Sequence, residues 1–351
     1  MKAEFYTNNR RKLAEYLPDG ALMLIFSGYA PRKRADEDYP FFSDRNFVYL
    51  TGIARDAGLV YAMKNVSEKL FLLPADFMKE RWTGRRTKAD EAHELSGIND
   101  IAYTPDFEEY FKKAVSECEN ICLDIDDTRE ERDYTEAHRF ARRMKEEYPA
   151  KKIVNIRPAL AEIRTIKADC EIDAMREAVR ITGEGIKAMM HGVRDGMKEY
   201  EIKGLYDSAL LANGCLEPAF PSIISAGQNN FCIHYYSYSG TAHTGDMVLC
   251  DVGACYDFIG CDISRGFPLS GKFSDRQRKL YEAAYATSQH LFDIIKPGYL
   301  MEEVDREAQR FCYTYLHDYG LVDKPEHIGK LMWHGGSHHV GFDTHDIVKR
   351  P

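Results

Sequence analysis

The feature that most constrains this chain is the stretch 245–271, where carboxylates interrupt apolar segments. Residues 247–249 form an apolar run of strand length entered from a Gly-Asp turn. Asp251 then follows, a charge where a buried strand should carry none. The pattern recurs after the turn, where Phe258-Ile259 leads into Cys261 and a second intruding carboxylate, Asp262. Pairing 247–254 with 259–267 as an antiparallel hairpin centred near Tyr256-Asp257 predicts Asp251 directly opposite Asp262. Opposed side chains share a face, with Cβ atoms roughly 5 Å apart. Two carboxylates that close in an apolar sheet repel, and both are costly to desolvate. A pair of divalent cations between them removes the cost, and oxygen-rich two-metal sites hold their ions about 3.5–4 Å apart. The competing reading is a solvated face or loop, with Arg265 pairing one of the acids.

Composition narrows the class. A chain of 351 residues can bury two full-sized cores, and 44% hydrophobic with 29% charged residues is ordinary for a globular protein. The net charge of −9 argues against a nucleic-acid binder. No apolar run approaches membrane-spanning length and the N-terminus has no signal-peptide pattern, so a cytoplasmic protein with no membrane partner is expected. Nine cysteines, an odd number, are then expected to be reduced thiols with packing roles. Cys250 and Cys261 each precede one of the aspartates. Strand alternation turns them to the opposite face, toward the core and away from a metal.

Taken in order, residues 1–20 read as a helix with Leu13, Tyr16 and Leu17 on one face, closed by Pro18-Asp19-Gly20. Short apolar runs follow at 21–26, 47–50, 59–63 and 70–73, then helical segments around 106–117 and 130–148 with a strand-like 121–125 between them. This describes an α/β domain. Within it, Trp82 among Arg81, Arg85 and Arg86 reads either as a cleft or subunit contact or as a surface ring stacked on arginine. A domain boundary is placed at 168/169, giving domains 1–168 and 169–351. Asp169 is expected to cap a helix whose apolar stripe is Ile172, Met175, Val179, Ile186 and Met189. From there the chain repeats itself: helices 170–191 and 198–213, then helices 275–295 and 301–319, with Met197-Lys198-Glu199 aligned on Met301-Glu302-Glu303. The first copy runs on for 53 residues, Cys215 to Phe267, through the hairpin; after Gly320 the second has 31 left. On that count the second hairpin is missing.

Most of the twelve histidines lie between 234 and 345. The densest run is Trp333-His334-Gly335-Gly336-Ser337-His338-His339-Val340-Gly341-Phe342-Asp343-Thr344-His345-Asp346, with glycines that admit close approach. Imidazole is the commonest nitrogen ligand and the usual proton carrier near neutrality. Such a run is also read as a weak adventitious metal binder.

Together these motifs resemble the pita-bread metallopeptidases, and most closely aminopeptidase P, over nearly the whole chain. Leu-Cys-Asp251-Val-Gly and Cys-Asp262-Ile-Ser-Arg match the family's two bridging aspartates, and Gly266-Phe267-Pro268 through Gly271-Lys272-Phe273 continues the match. His338 matches the histidine ligand, which completes a metal set of Asp251, Asp262 and His338. His234 in Ile-His-Tyr and His345 in Thr-His-Asp match two catalytic, non-ligand histidines, and His334 matches a further one that binds substrate at the cleft. The segments Tyr39-Pro40, 47–52 and 82–86 resemble the family's N-terminal domain.

The resemblance implies a ribonuclease-H-like α/β N-terminal domain and an α+β pita-bread C-terminal domain lacking its last strands. It implies two divalent ions, manganese first, with cobalt, iron or zinc able to substitute. The implied reaction removes the N-terminal residue from peptides with proline second, by a homo-oligomer, dimer or tetramer. Family members continue to two glutamate ligands, whereas the residues after His345 hold Asp346 and no glutamate. A polypeptide ending at Pro351 is therefore expected to bind metal weakly and turn over poorly, unless a longer chain or a second chain supplies the strands. The alternatives are a metal-free binding or assembly protein of the same fold, and a prolidase-type dipeptidase.

Overall fold

The computed structural model describes residues 1–335 and 337–348. Two compact units emerge, one built on Met1–Lys167 and the other spanning Ala168–Asp346.

The first unit runs α1 (Ala3–Ala14), β1 (Leu22–Phe26), β2 (Arg32–Arg34), β3 (Glu37–Asp38), α2 (Arg45–Thr51), β4 (Val60–Lys64), β5 (Ser67–Leu72), α3 (Phe77–Thr83), α4 (Ala89–Ser96), β6 (Ile101–Tyr103), α5 (Phe107–Ser116), β7 (Asn120–Leu123), α6 (Glu136–Glu147), β8 (Lys152–Asn155) and α7 (Arg157–Thr165). Its sheet has the order β6-β5-β4-β1-β7-β8, with β5-β4-β1 antiparallel and both flanks parallel. Helix α1 stops at Ala14, short of the expected residue 20. Pro18 disfavours helical backbone at Leu17, and the chain leaves by i to i−3 bonds through Tyr16 and Leu17. The run 47–50 is helical: Asp44 accepts from the amide of Phe47 (2.9 Å), and Gly52 at φ 72° closes the turn. Trp82 lies on α3, 88% exposed, and the arginine stacking found there is Arg81 on Phe77.

The second unit runs α8 (Asp169–Gly192), α9 (Glu199–Ala212), β9 (Ile223–Ala226), β10 (Met247–Val252), β11 (Cys255–Tyr256), β12 (Ile259–Gly260), β13 (Ile263–Pro268), α10 (Asp275–Ile294) and α11 (Met301–Asp318). The helix starts correct two expectations. Ala168, not Asp169, is the N-cap of α8, and Glu171 closes that end by accepting from the amide of Ala168 (2.8 Å). In the two second helices, Glu201 and Glu303 make equivalent contacts, to the amides of Lys198 (2.7 Å) and Leu300 (3.1 Å). These caps set the repeat two residues away from the Met197/Met301 alignment.

The stripe on α8 also differs from expectation. Ile172 and Val179 face solvent, while Ala174, Ala178, Thr182 and Gly185 join Ile186 and Met189 inside. Small residues win because α9 packs close: a Cβ at Gly185 would lie 2.5 Å from the Tyr206 ring. The helices cover one face of an antiparallel sheet ordered β13-β10-β9. Val248, Cys250 and Val252 enter that core with Ile224, Ile202, Tyr206 and Phe267. Met247, Leu249 and Asp251, the alternate residues of β10, are half-buried on the other face.

Candidate metal centre

The hairpin differs from expectation by two residues. Asp251 lies opposite Ser264, and Cys255 lies opposite Gly260. The turn is therefore Asp257-Phe258, both at positive φ (46° and 72°), the two-residue form that suits strand twist. Phe258 is an unusual residue for that conformation, and its ring stacks on buried Phe342 (6.3 Å). A two-residue shift preserves the face. Asp262 thus remains on the side of Asp251, offset diagonally instead of directly across. Between them Ser264 Oγ donates to Asp251 Oδ1 (2.5 Å). Burial, above all, raises the pKa of Asp251; the Ser264 bond opposes this and the neighbouring Asp262 adds to it.

The histidine run reaches the same face. The amide of Gly260 donates to the carbonyl of Gly341 (2.9 Å), which ties residues 338–346 to the hairpin. His338 Nδ1 meets the carbonyl of its neighbour His339 (3.0 Å), and Nε2 meets Asp262 Oδ2 (3.0 Å). A ring between two acceptors favours the imidazolium, and the Asp262 bond accordingly raises the His338 pKa. The His345 ring lies 4.1 Å from that of His338. Asp262, His338 and His345 offer ligand atoms within 4.8 Å of one another. The sequence reading kept His345 outside the ligand set.

The other expected histidines are not members of this group. His234 is exposed in the loop after β9, stacked beside Tyr236 (6.1 Å). His334 is exposed against Trp333 (5.4 Å), with Nδ1 toward the carbonyl of Gly335 (2.7 Å). Cys250 and Cys261 are buried on the opposite side, and burial pushes the Cys250 thiol up to about 12. The sequence reading passed over Ser264. Its only signal was its place two residues after Asp262, on the same strand face.

Carboxylate oxygens beside imidazole form a donor set for a hard or borderline divalent cation, and the desolvation cost of Asp251 is what such a cation relieves. The class of protein is settled by comparison. This chain belongs to metallopeptidase family M24, whose pattern matches residues 173–351, while that of the aminopeptidase P N-terminal domain matches 6–122. It is thus a metal-dependent hydrolase with the two expected domains. The Xaa-Pro aminopeptidase of Haemophilus influenzae is 29% identical, over 99% of this chain and 81% of its own length. That of Escherichia coli is 27% identical, over 97% and 81%. A solved structure provisionally described as an aminopeptidase P from Bacillus anthracis superposes with a TM-score of 0.95 at 32% identity, over 99% of this chain and 84% of that one. Zinc-substituted aminopeptidase P of E. coli in complex with product gives 0.88 at 25%, over 99% and 82%.

Proposed function

We propose that this protein removes the N-terminal residue from peptides with proline in second position, using two divalent ions, manganese first among them. The observation that carries the reading is the grouping of Asp262, His338 and His345 on the face that also holds Asp251. Asp251, Asp262 and His338 would hold the ions. Bound there, the ions supply Lewis acidity to the scissile carbonyl. His234 and His345 orient the substrate and stabilise charge developing on its carbonyl oxygen. His334 contacts the substrate at the mouth of the cleft.

The buried thiols of Cys118, Cys122, Cys215, Cys250, Cys261 and Cys312 support a reducing compartment, the cytoplasm. A homo-oligomer is supported by α3, which exposes Phe77, Met78 and Trp82 together. To a form of the protein shown to hold two equivalents of manganese, the test offers a tripeptide with proline second, its alanine counterpart and an Xaa-Pro dipeptide. Release of the first residue from the proline tripeptide alone, abolished by chelator, is the expected result. Cleavage of only the dipeptide makes the protein a prolidase, and equal cleavage of the alanine peptide removes the proline specificity.

A further inference from the structure

His234 stands on a long loop between β9 and β10. Asn230 ties that loop to Ser225 and Met247, and Tyr238 ties it to Ser222, but the largest set of bonds converges on one carboxylate. Glu199, at the first turn of α9, is fully buried. Its Oε1 accepts from the amide of Ala226 (2.9 Å) and from Asn229 Nδ2 (2.9 Å). Its Oε2 accepts from the hydroxyl of Tyr235 (2.6 Å) and the amide of Gly240 (2.7 Å). Ala226 ends β9, Gly240 lies in the loop ahead of β10, which begins at Met247, and Asn229 and Tyr235 lie between them. Four points of 226–240 are thus drawn to a single side chain.

The arrangement closes on itself. The Tyr235 hydroxyl also accepts from Asn229 Nδ2 (3.0 Å) and from the amide of Ser239 (3.2 Å). The amide of Glu199 donates back to the carbonyl of Gly240 (3.1 Å). Gly240 has no room for a side chain, since a Cβ would stand 2.8 Å from the Glu199 carboxyl carbon. A buried carboxylate is tolerated only when its oxygens are satisfied, and here four donors do so. Burial alone would raise its pKa, yet these bonds hold the carboxyl below its usual range. Tyr235, bonded to it and itself buried, is the residue next to His234.

We propose that Glu199 is a positioning residue for the reaction: through Tyr235, Asn229 and the amides of Ala226 and Gly240 it fixes where His234 presents its ring. This rests on the role proposed above for His234. A purely architectural role would tie α9 to the sheet without regard to what the loop carries, and the two are separable.

Tyr235→Phe removes one hydroxyl and keeps the ring, while Glu199→Gln removes the charge and two acceptor positions. In the full chain, amide hydrogen exchange across 227–240 should accelerate at least about tenfold in both variants, with α8 and the sheet unchanged. Unchanged protection in Tyr235→Phe overturns the anchor. With manganese and the proline tripeptide, Tyr235→Phe should lower kcat by roughly ten- to a hundredfold at unchanged metal content. In a His234→Ala background the same change should cost less than about twofold. An equal loss in both backgrounds makes Glu199 architectural and overturns the positioning role. Failure of the unsubstituted protein on any proline peptide while it holds two equivalents of manganese instead rejects the proposed function, leaving the exchange result to decide whether Glu199 anchors the loop.

Discussion

A carboxylate on the middle strand of a sheet is disfavoured in proportion to its burial, and Asp251 carries that cost together with the field of Asp262. Its folded pKa is raised, so in metal-free protein the native state gains least from its ionised form. Below the ordinary value of 3.8 the group is protonated in both folded and unfolded states. The penalty enters as pH rises past that value and is complete above the folded pKa. Asp251→Asn should therefore be as stable as the parent in acid and equal or better at neutral pH without metal, while manganese affinity falls at least about tenfold. Thermal melts across pH and calorimetric titration check the two halves, and unchanged affinity would move the ions elsewhere. Histidines divide by the same logic. His234→Ala should lower turnover by roughly 10²-fold with metal content intact. His345→Ala is the sharper experiment, because its ring lies within the ligand group. Loss of bound manganese there would make it a ligand and correct the role given to it above.

The elements show which parts of the sequence could be read and why others could not. Both helix pairs of the second unit were legible from periodicity and turn residues to within a residue or two, because long amphipathic helices announce themselves. The face of α8 was not legible. Ala174, Ala178 and Gly185 carry no hydrophobic signal, and only the closeness of α9 gives them their place inside. The hairpin was legible in its face but not in its register, since alternation fixes which side Asp251 and Asp262 share and leaves a shift of two residues undetected. That register turns on Gly253, where a side chain would overlap the carbonyl oxygen of Cys261. Gly253→Ala should cost about 3 kcal/mol or prevent folding, and should displace Asp262 from Asp251. Chemical denaturation measures the first effect, and a variant as stable as the parent would refute the described pinch.

At the scale of the molecule, the described histidine, aspartate and loop-anchor residues all belong to Ala168–Asp346, which has its own core. Manganese at a hundred times its Kd should add about 2.7 kcal/mol to whatever holds it. Hydrogen exchange with and without the ion should show that gain on β10, β13 and residues 338–346. No gain there would place the ion elsewhere. Sequence motifs identified this unit's residues well because chemistry confines them to a few types. They could not reveal the Glu199 anchor, whose four donors lie 27 to 41 residues away along the chain.

The pleat of β10 has one further effect, on which metal the protein takes up and when. Cys250-Asp251 and Cys261-Asp262 are, in an unfolded chain, flexible thiol–carboxylate pairs with thiols free to ionise. Thiolates select zinc and other soft ions over manganese. Folding sends each thiol into the core and its aspartate to the opposite face, so the folded site presents the hard donors without the soft ones. Any preference for a hard ion is on this account a property of the finished sheet, and zinc met too early should act as a folding poison. Refolding from denaturant should slow or lose yield in equimolar zinc but not in manganese, and Cys250→Ser with Cys261→Ser should relieve the difference. Equal refolding in both metals would show that the order of folding and metal capture has no bearing on which ion is held.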